Sequence, residues 1–224
     1  WTPEPAPGEG GLPVMVWIHG GAHRLGSGSA ALYDGRALAS QGVVVVTINY
    51  RLGLLGYFAH PALTRSAAPD APLGNYGLMD QIAALQWVQA NIAGFGGDPQ
   101  NVTVFGESAG AADILFLLTN PEAQGLFAKA IVQSGGGLQN PPDLAQQETA
   151  GLDYAAAIGL SAGAGLDVLL DLPAERWIEA QGGLGGGLGF GPFIDGRFVS
   201  EAPREVFAAG READVPLMIG ANSD

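Results

Sequence analysis

Short apolar runs, each long enough for one buried strand, alternate along this chain with segments of helical spacing. A continuous apolar run of this length is typical of a strand that is covered on both faces, as in a parallel sheet. The five runs lie at residues 14–18, 43–48, 102–105, 130–132 and 215–219. Because helical segments separate most of them, the pattern predicts parallel βαβ units in an α/β sheet with right-handed connections.

Residues 141–211 differ from this alternating pattern. They predict small helices at 144–158, 166–172 and 174–181, followed by seven glycines between positions 182 and 191. We therefore expect a helical insertion at 141–211, with a mobile glycine-rich segment inside it. The remaining helices are predicted at 31–41, closed by Gly42, at 78–92, with apolar residues at 78, 82, 85, 88 and 92, and at 109–118.

Composition narrows the choice of partners. Hydrophobic residues make up 47% of the 224 residues, which is enough to build a core, but no apolar run approaches the length of a membrane span. The formal net charge of −13 argues against nucleic acids and anionic membranes as partners. The chain has no cysteine, so disulfides and cysteine-based metal sites are excluded, and the cellular compartment stays open.

The segment Gly106-Glu107-Ser108-Ala109-Gly110 matches the pattern G-x-S-x-G. A strand that turns into a helix within a few residues leaves the central serine strained, and small residues two positions away let strand and helix approach each other. The pattern alone is weak in a chain with 36 glycines, but here an apolar strand precedes it and an apolar helix follows it. We therefore predict that Ser108 is a nucleophile; the alternative is an ordinary strand-to-helix turn.

A second glycine-rich loop, His19-Gly20-Gly21-Ala22, follows the first predicted strand. Acyl transfer needs backbone N–H groups directed at the developing oxyanion, and glycines let such a loop bend inward without a blocking side chain. The N–H of Ala109, the residue after the predicted nucleophile, supplies a further donor. We predict an oxyanion hole here; the alternative is a glycine-rich turn alone.

Four segments together resemble the type-B carboxylesterase and cholinesterase family of α/β-hydrolases. They are PVMVWIHGGAHRLGSG (13–28), VVVVTINYRLGLLGYF (43–58), GNYGLMDQIAALQWVQANIAGFGGDPQNVTVFGESAG (74–110) and IVQSG (131–135). The resemblance covers nearly the whole chain and is strongest between residues 13 and 136. It implies an α/β-hydrolase fold, in which a mainly parallel sheet is flanked by helices. Residues 1–224 would form one partial hydrolase domain with the helical insertion inside it.

The resemblance also assigns the oxyanion donors. In that family they are the second glycine of the loop motif and the residue after it, which correspond to Gly21 and Ala22, and the residue after the nucleophile, here Ala109. Gly20 belongs to the same loop and supports it. The implied reaction is acyl transfer through Ser108 on a small-molecule ester, and it involves no metal or cofactor.

Three further residues are expected near this site. Glu107 is similar to a family glutamate that adds negative charge beside the nucleophile. A compatible interpretation is a hydrogen-bonded buried carboxylate, with Arg51 as its candidate partner. Ser134 follows a predicted strand but lacks a glycine two positions before it, so it is interpreted as a loop serine or a serine beside the site. His23 stands where the family usually has an aromatic residue, and it either makes the edge of the pocket more polar or simply packs.

We do not expect the catalytic histidine among the histidines of this chain. In this fold the triad runs along the chain as Ser, then Asp or Glu, then His. All three histidines, His19, His23 and His60, precede Ser108. His19 is interpreted as a buried structural residue of the oxyanion motif, and His60 as a loop residue.

The triad acid is expected to be missing as well. The segment PLMIGANSD resembles the family strand that continues G-x-x-x-D-E, whose glutamate is the acid, and the chain ends at Asp224. The family's opening strands would precede Trp1. The resemblance therefore implies an internal fragment, incomplete at both ends, that associates with itself or is complemented by the missing segments.

We predict a serine carboxylic-ester hydrolase, present here as a catalytically incomplete piece. The alternative is a non-catalytic adhesion or binding protein on the same fold, which the presence of Ser108 argues against, because such proteins typically lose the nucleophile. A lipase or an amidase is a third interpretation, since a fold does not determine its substrate.

Overall fold

The computed structural model describes residues 1–3, 11–138, 140–183 and 190–223. The chain divides into two units. One is formed by Trp1–Tyr50, Leu78–Gln139 and Pro203–Asp224, and the other by Arg51–Gly77 and Asn140–Ala202. None of the described helices combines the length and the apolarity needed to cross a membrane.

The first unit is built on a parallel sheet, as the alternating apolar runs predict. Its strands are β1 (Leu12–Ile18), β2 (Val44–Thr47), β3 (Gly97–Glu107), β4 (Lys129–Gln133) and β5 (Leu217–Gly220). Their order is β2-β1-β3-β4-β5, and every neighbouring pair is parallel. Ile18 pairs with Gly106, and Glu107 pairs with Gln133. The loops that follow β1, β3 and β4 therefore meet at one edge of the sheet, where ligands of α/β proteins bind.

Some helices cover the apolar side chains of this sheet, and the others form the second unit. In chain order they are α1 (Arg36–Ala39), α2 (Gly53–Tyr57), α3 (Pro61–Ser66), α4 (Tyr76–Asn91), α5 (Ala109–Thr119), α6 (Leu144–Ala157), α7 (Leu166–Leu170), α8 (Ala174–Gly183) and α9 (Pro203–Ala208). α5 packs against β3 and β4 and buries Ile114 and Leu118. In α4, Leu78, Ile82 and Leu85 are buried at the spacing that predicted the helix.

The helix predicted at 31–41 is interrupted. It forms a 3₁₀ turn at Ala31–Tyr33 and then α1, with Asp34 in an extended conformation between them. The Asp34 carboxylate accepts hydrogen bonds from the backbone N–H and the Nε–H of Arg36, both at 3.0 Å. Aspartate bonded to the backbone two residues later stabilises a turn instead of a continuous helix. The same contact with Arg36 lowers the pKa of Asp34.

The second unit is helical and contains α2, α3, α6, α7 and α8. α6 begins with a capping box: Asp143 accepts from the N–H of Gln146, and the Gln146 side chain accepts from the N–H of Asp143. Residues 141–202 of the predicted insertion fall in this unit together with 51–77, and residues 203–211 fall in the first unit. The glycine-rich segment predicted to be mobile lies largely outside the described residues. The buried cluster of the unit consists of Leu54, Ala62, Tyr154, Leu169, Trp177 and Phe190.

His60 lies in the loop before α3, as the sequence predicts, but it also caps that helix. It is the N-cap of α3, Pro61 is the first helical residue, and the Nδ1 of His60 accepts a hydrogen bond from the N–H of Ala62 at 3.1 Å. The histidine is 1% exposed. Its burial lowers the pKa of His60, and Arg65 acts in the same direction. Proline directly after a polar residue was the sequence signal for this helix start.

Candidate active site

Ser108 lies between the last residue of β3 and the first residue of α5. Its backbone has φ 54° and ψ −122°, a conformation that costs a non-glycine residue on the order of 1–3 kcal/mol. Two hydrogen bonds hold it there: its N–H donates to the carbonyl of Gln133 at 3.0 Å, and its own carbonyl accepts from the N–H of Ala112 at 2.9 Å. The strained strand-to-helix turn that the G-x-S-x-G pattern predicts is therefore present.

Glycine flanks this turn because the end of β1 passes directly beside it. A Cβ added to Gly106 would lie 2.8 Å from the carbonyl oxygen of Ile18 and 2.9 Å from the carbonyl carbon of Gly110. A Cβ added to Gly110 would lie only 2.1 Å from the same oxygen of Ile18. Neither position has space for a side chain, which explains the spacing of the motif.

Replacement of Gly110 by alanine is therefore expected to lower the free energy of unfolding by about 3 kcal/mol, because the added methyl group overlaps backbone that the sheet holds in place. Gly94→Ala is the matched control, since a Cβ there meets no atom within 4 Å, and its effect should stay below about 1 kcal/mol. Urea unfolding of both variants measures the difference. Equal stability of the two variants would contradict the close packing.

The loop after β1 lies against the serine turn. A Cβ added to Gly20 would lie 3.0 Å from the Cβ of Ser108. The next three residues, Gly21, Ala22 and His23, have φ angles of 120°, 53° and 56°. Positive φ at two successive non-glycine residues is unfavourable unless the surroundings hold it, so the curvature of this loop depends on contacts outside it.

Among the backbone N–H groups of the loop and the turn that have no hydrogen-bond acceptor within the described residues are those of the three predicted oxyanion donors. They belong to Gly21 and Ala22 in the loop and to Ala109 at the start of α5. The N–H of Ala109 also lies at a helix N-terminus, where the aligned peptide dipoles favour negative charge. Unpartnered donors beside a strained serine are what a tetrahedral oxyanion requires. The role of these three residues as an oxyanion hole stays a prediction.

The loop is held at its first residue, His19. The hydroxyl of Tyr50 donates to the carbonyl of His19 at 2.7 Å, and the two rings stack with centroids 4.6 Å apart. The Nδ1–H of His19 donates to the carbonyl of Gly20 at 2.8 Å. Burial raises the pKa of Tyr50, and the nearby charge of Asp113 acts in the same direction, so the hydroxyl remains a donor. His19 is 1% exposed, as expected of a buried structural residue.

His23 does more than pack, because it takes part in a buried hydrogen-bond network. It is buried, and its Nε2–H donates to Oδ1 of Asp113 at 2.8 Å. The Nε2 amide of Gln81 donates to Oδ2 of the same carboxylate at 2.6 Å. Asp113 and Gln81 are fully buried, and neither residue was predicted from the sequence. The available signal was a carboxylate within the otherwise apolar stretch of α5, which indicates a buried polar partner.

Glu107 and Ser134 both line an open groove of about 460 Å³, together with Gly220. Glu107 is exposed, so its interpretation as a buried carboxylate is wrong, because the side chain of this strand end faces the groove. Ser134 has φ 52°, and its N–H donates to the carbonyl of Gly220 at 2.8 Å. The register of β3 and β4, in which Glu107 pairs with Gln133, brings the serine turns of the two strands next to each other.

The histidines of the first unit have other partners than the serine hydroxyl. Among the described residues of this unit, no hydrogen bond joins Ser108 to His19 or His23. His60 belongs to the second unit, where it caps α3. That the catalytic histidine lies outside these residues stays a prediction.

A strained serine at the carboxyl end of a central parallel strand is the geometry by which α/β-hydrolases are recognised, and the comparison with solved structures agrees. The structure of PNB esterase matches with a TM-score of 0.88 and 41% identity, covering all of this chain and 47% of that one. The sequence comparison is more specific. The model of the carboxylesterase family matches residues 1–224, and the chain belongs to the carboxylesterase family.

Two curated relatives show how far the similarity extends. Fumonisin B1 esterase of Sphingopyxis macrogoltabida is 44% identical over all of this chain, which covers 41% of that protein. Para-nitrobenzyl esterase of Bacillus subtilis (strain 168) is 45% identical over 95% of this chain, which covers 44% of that protein. The chain thus spans less than half the length of these relatives.

Proposed function

We propose that the whole protein hydrolyses carboxylic esters through an acyl-enzyme intermediate on Ser108. The observation that carries the proposal is the strained turn of Ser108 beside the N–H groups of Gly21, Ala22 and Ala109, which have no acceptor among the described residues. Membership of the carboxylesterase family, and two relatives whose names are those of esterases, support a carboxylic ester as the substrate class.

The reaction has two half-reactions. The Oγ of Ser108 forms a bond to the ester carbonyl carbon while a general base takes the hydroxyl proton, and the carbonyl electron pair moves onto oxygen. That oxygen accepts hydrogen bonds from Gly21, Ala22 and Ala109. The intermediate expels the alcohol, which leaves with the proton held by the base. Water then attacks the acyl-enzyme by the same route and releases the carboxylic acid, and none of these steps requires a metal or cofactor.

The general base is inferred to be a histidine outside these 224 residues, oriented by an acid that also lies outside them. His19, His23 and His60 all precede Ser108, against the chain order of this fold. Each of them already uses a ring nitrogen in another hydrogen bond. Within the described part of the first unit, none of the remaining ring nitrogens forms a hydrogen bond with Ser108.

The test compares matched p-nitrophenyl esters and p-nitroanilides of increasing acyl length on the whole protein, with fluorophosphonate labelling in parallel. We expect turnover of the esters and a label that mass spectrometry locates on Ser108. Faster turnover of the anilides would indicate an amidase instead. Absence of both turnover and label would contradict the proposal and favour a binding protein on the same fold.

A further inference from the structure

We propose that the buried hydrogen bond between His23 and Asp113 positions the oxyanion donors. It joins the loop that carries Gly21 and Ala22 to the helix that begins at Ala109. The inference rests on the proposed function and goes beyond it, because it assigns a positioning role to two residues that are not expected to touch the substrate.

The loop is anchored on both sides of the unpartnered N–H groups. On the upstream side, the Tyr50 hydroxyl holds the carbonyl of His19. On the downstream side, the ring of His23 is bound to Asp113. The N–H groups of the two residues that precede His23 lie between these anchors and have no acceptor of their own among the described residues. Their direction therefore depends on where the two ends of the loop are held.

The hydrogen bond from His23 to Asp113 also determines the position of the loop relative to the third donor, the N–H of Ala109. Asp113 lies on α5 four residues after Ala109, which is about one helical turn. A hydrogen bond from His23 to this carboxylate therefore connects the loop to the same rigid helix whose first N–H is the remaining donor. Since an oxyanion hole works only when its donors converge on one point, this connection bears on the rate of the chemical step.

The surroundings make this hydrogen bond strong and specific. Asp113 is fully buried, and its second oxygen is occupied by the amide of Gln81 at 2.6 Å. His23 is 8% exposed, so water competes little for either partner. A hydrogen bond to a carboxylate in such surroundings is stronger than one between neutral groups at the surface. It can therefore hold Ala22 and His23 at φ angles of 53° and 56°.

Two substitutions of His23 separate positioning from packing. His23→Phe fills the same space without a donor, whereas His23→Gln retains an N–H group at a similar distance from the backbone. On a p-nitrophenyl ester, we expect the phenylalanine variant to lose kcat by about 10- to 100-fold with KM within about threefold, because oxyanion contacts form only in the transition state. The glutamine variant should stay within about fivefold of the wild-type kcat.

A double variant separates positioning from stability. His23→Phe leaves the Asp113 carboxylate with one partner fewer, which lowers stability by itself. The double substitution His23→Phe with Asp113→Ser removes that carboxylate, and the melting temperature is expected to recover in part, because the buried Gln81 amide then loses its carboxylate acceptor. The kcat is expected to stay low, since the loop is still not attached to α5. Recovery of kcat together with stability would overturn the positioning role.

Hydrogen exchange gives a measurement that does not depend on turnover. The N–H groups of Arg24 and Leu25 both donate to the carbonyl of Gly21, at 3.0 and 3.2 Å, and so report on the order of the loop. We expect their exchange to accelerate at least about tenfold in His23→Phe while exchange in β3 is unchanged. Unchanged loop exchange, or an unchanged kcat in a folded His23→Phe variant, would overturn the inference. Failure of the proposed function is distinguished by the wild-type protein. If its turnover does not depend on Ser108, both the proposed function and the positioning of oxyanion donors are wrong. The exchange measurement then shows only whether the hydrogen bond between His23 and Asp113 orders the loop.

Discussion

Replacement of Ser108 by alanine is expected to lower the kcat of ester hydrolysis by a factor on the order of 10⁴–10⁶ while KM stays within about threefold. In the proposed reaction the serine oxygen forms the bond to the acyl carbon, so no acyl-enzyme can form without it. The same oxygen adds little to the binding of the unreacted ester. Steady-state kinetics of the whole protein on a p-nitrophenyl ester measures both constants, and the variant should also fail to accept a fluorophosphonate label.

Ser134→Ala is the matched control for this experiment. Ser134 also follows a parallel strand of the same sheet, has a positive φ of 52° and lines the groove beside Glu107. Its replacement is expected to change kcat by less than about tenfold, because it does not form the covalent bond. Turnover retained in Ser108→Ala and lost in Ser134→Ala would assign the nucleophile to the other serine.

The 224 residues expressed alone are expected to hydrolyse a p-nitrophenyl ester more slowly than the whole protein by a factor on the order of 10⁴ or more. The serine turn and the donor loop are both encoded in them. We infer that the base that removes the Ser108 proton is not encoded in them, because His19 and His23 are bound elsewhere and His60 caps a helix in the second unit. An oxyanion hole without the triad retains only about 10³- to 10⁴-fold acceleration over water.

The oligomeric state of the isolated 224 residues must be measured alongside their esterase activity. Leu217, Met218 and Ile219 of β5 are 39%, 68% and 58% exposed, and an exposed apolar edge strand favours pairing with another chain. We expect light scattering to detect self-association.

Turnover of the isolated residues close to that of the whole protein would contradict the predicted loss of activity and would mean that one of the three histidines acts as base. Single histidine-to-glutamine variants would then identify which one.

The strands and their parallel pairing in one sheet could be predicted from the sequence, but some helices could not. The strands are continuous apolar runs, and α4 has apolar residues at helical spacing, so both follow from local patterns. In contrast, α2 and α3 have five and six residues, which is too short for a periodic pattern to appear. They form because the second unit buries Leu54 and Ala62 among residues from distant parts of the chain.

The serine turn and the glycine loop were determined by the sequence alone, because their chemistry is local. A strand that turns sharply into a helix beside another strand requires glycine at the positions of Gly106 and Gly110, and the spacing of the motif reflects this steric requirement. The partner of His23 was decided only by the tertiary structure. Asp113 lies 90 residues away along the chain, and a carboxylate in an apolar helix indicates that a partner exists without indicating which residue it is. Packing of the loop against α5 determines that the partner is His23. A buried carboxylate needs hydrogen-bond donors, and only side chains that the fold places next to it can supply them.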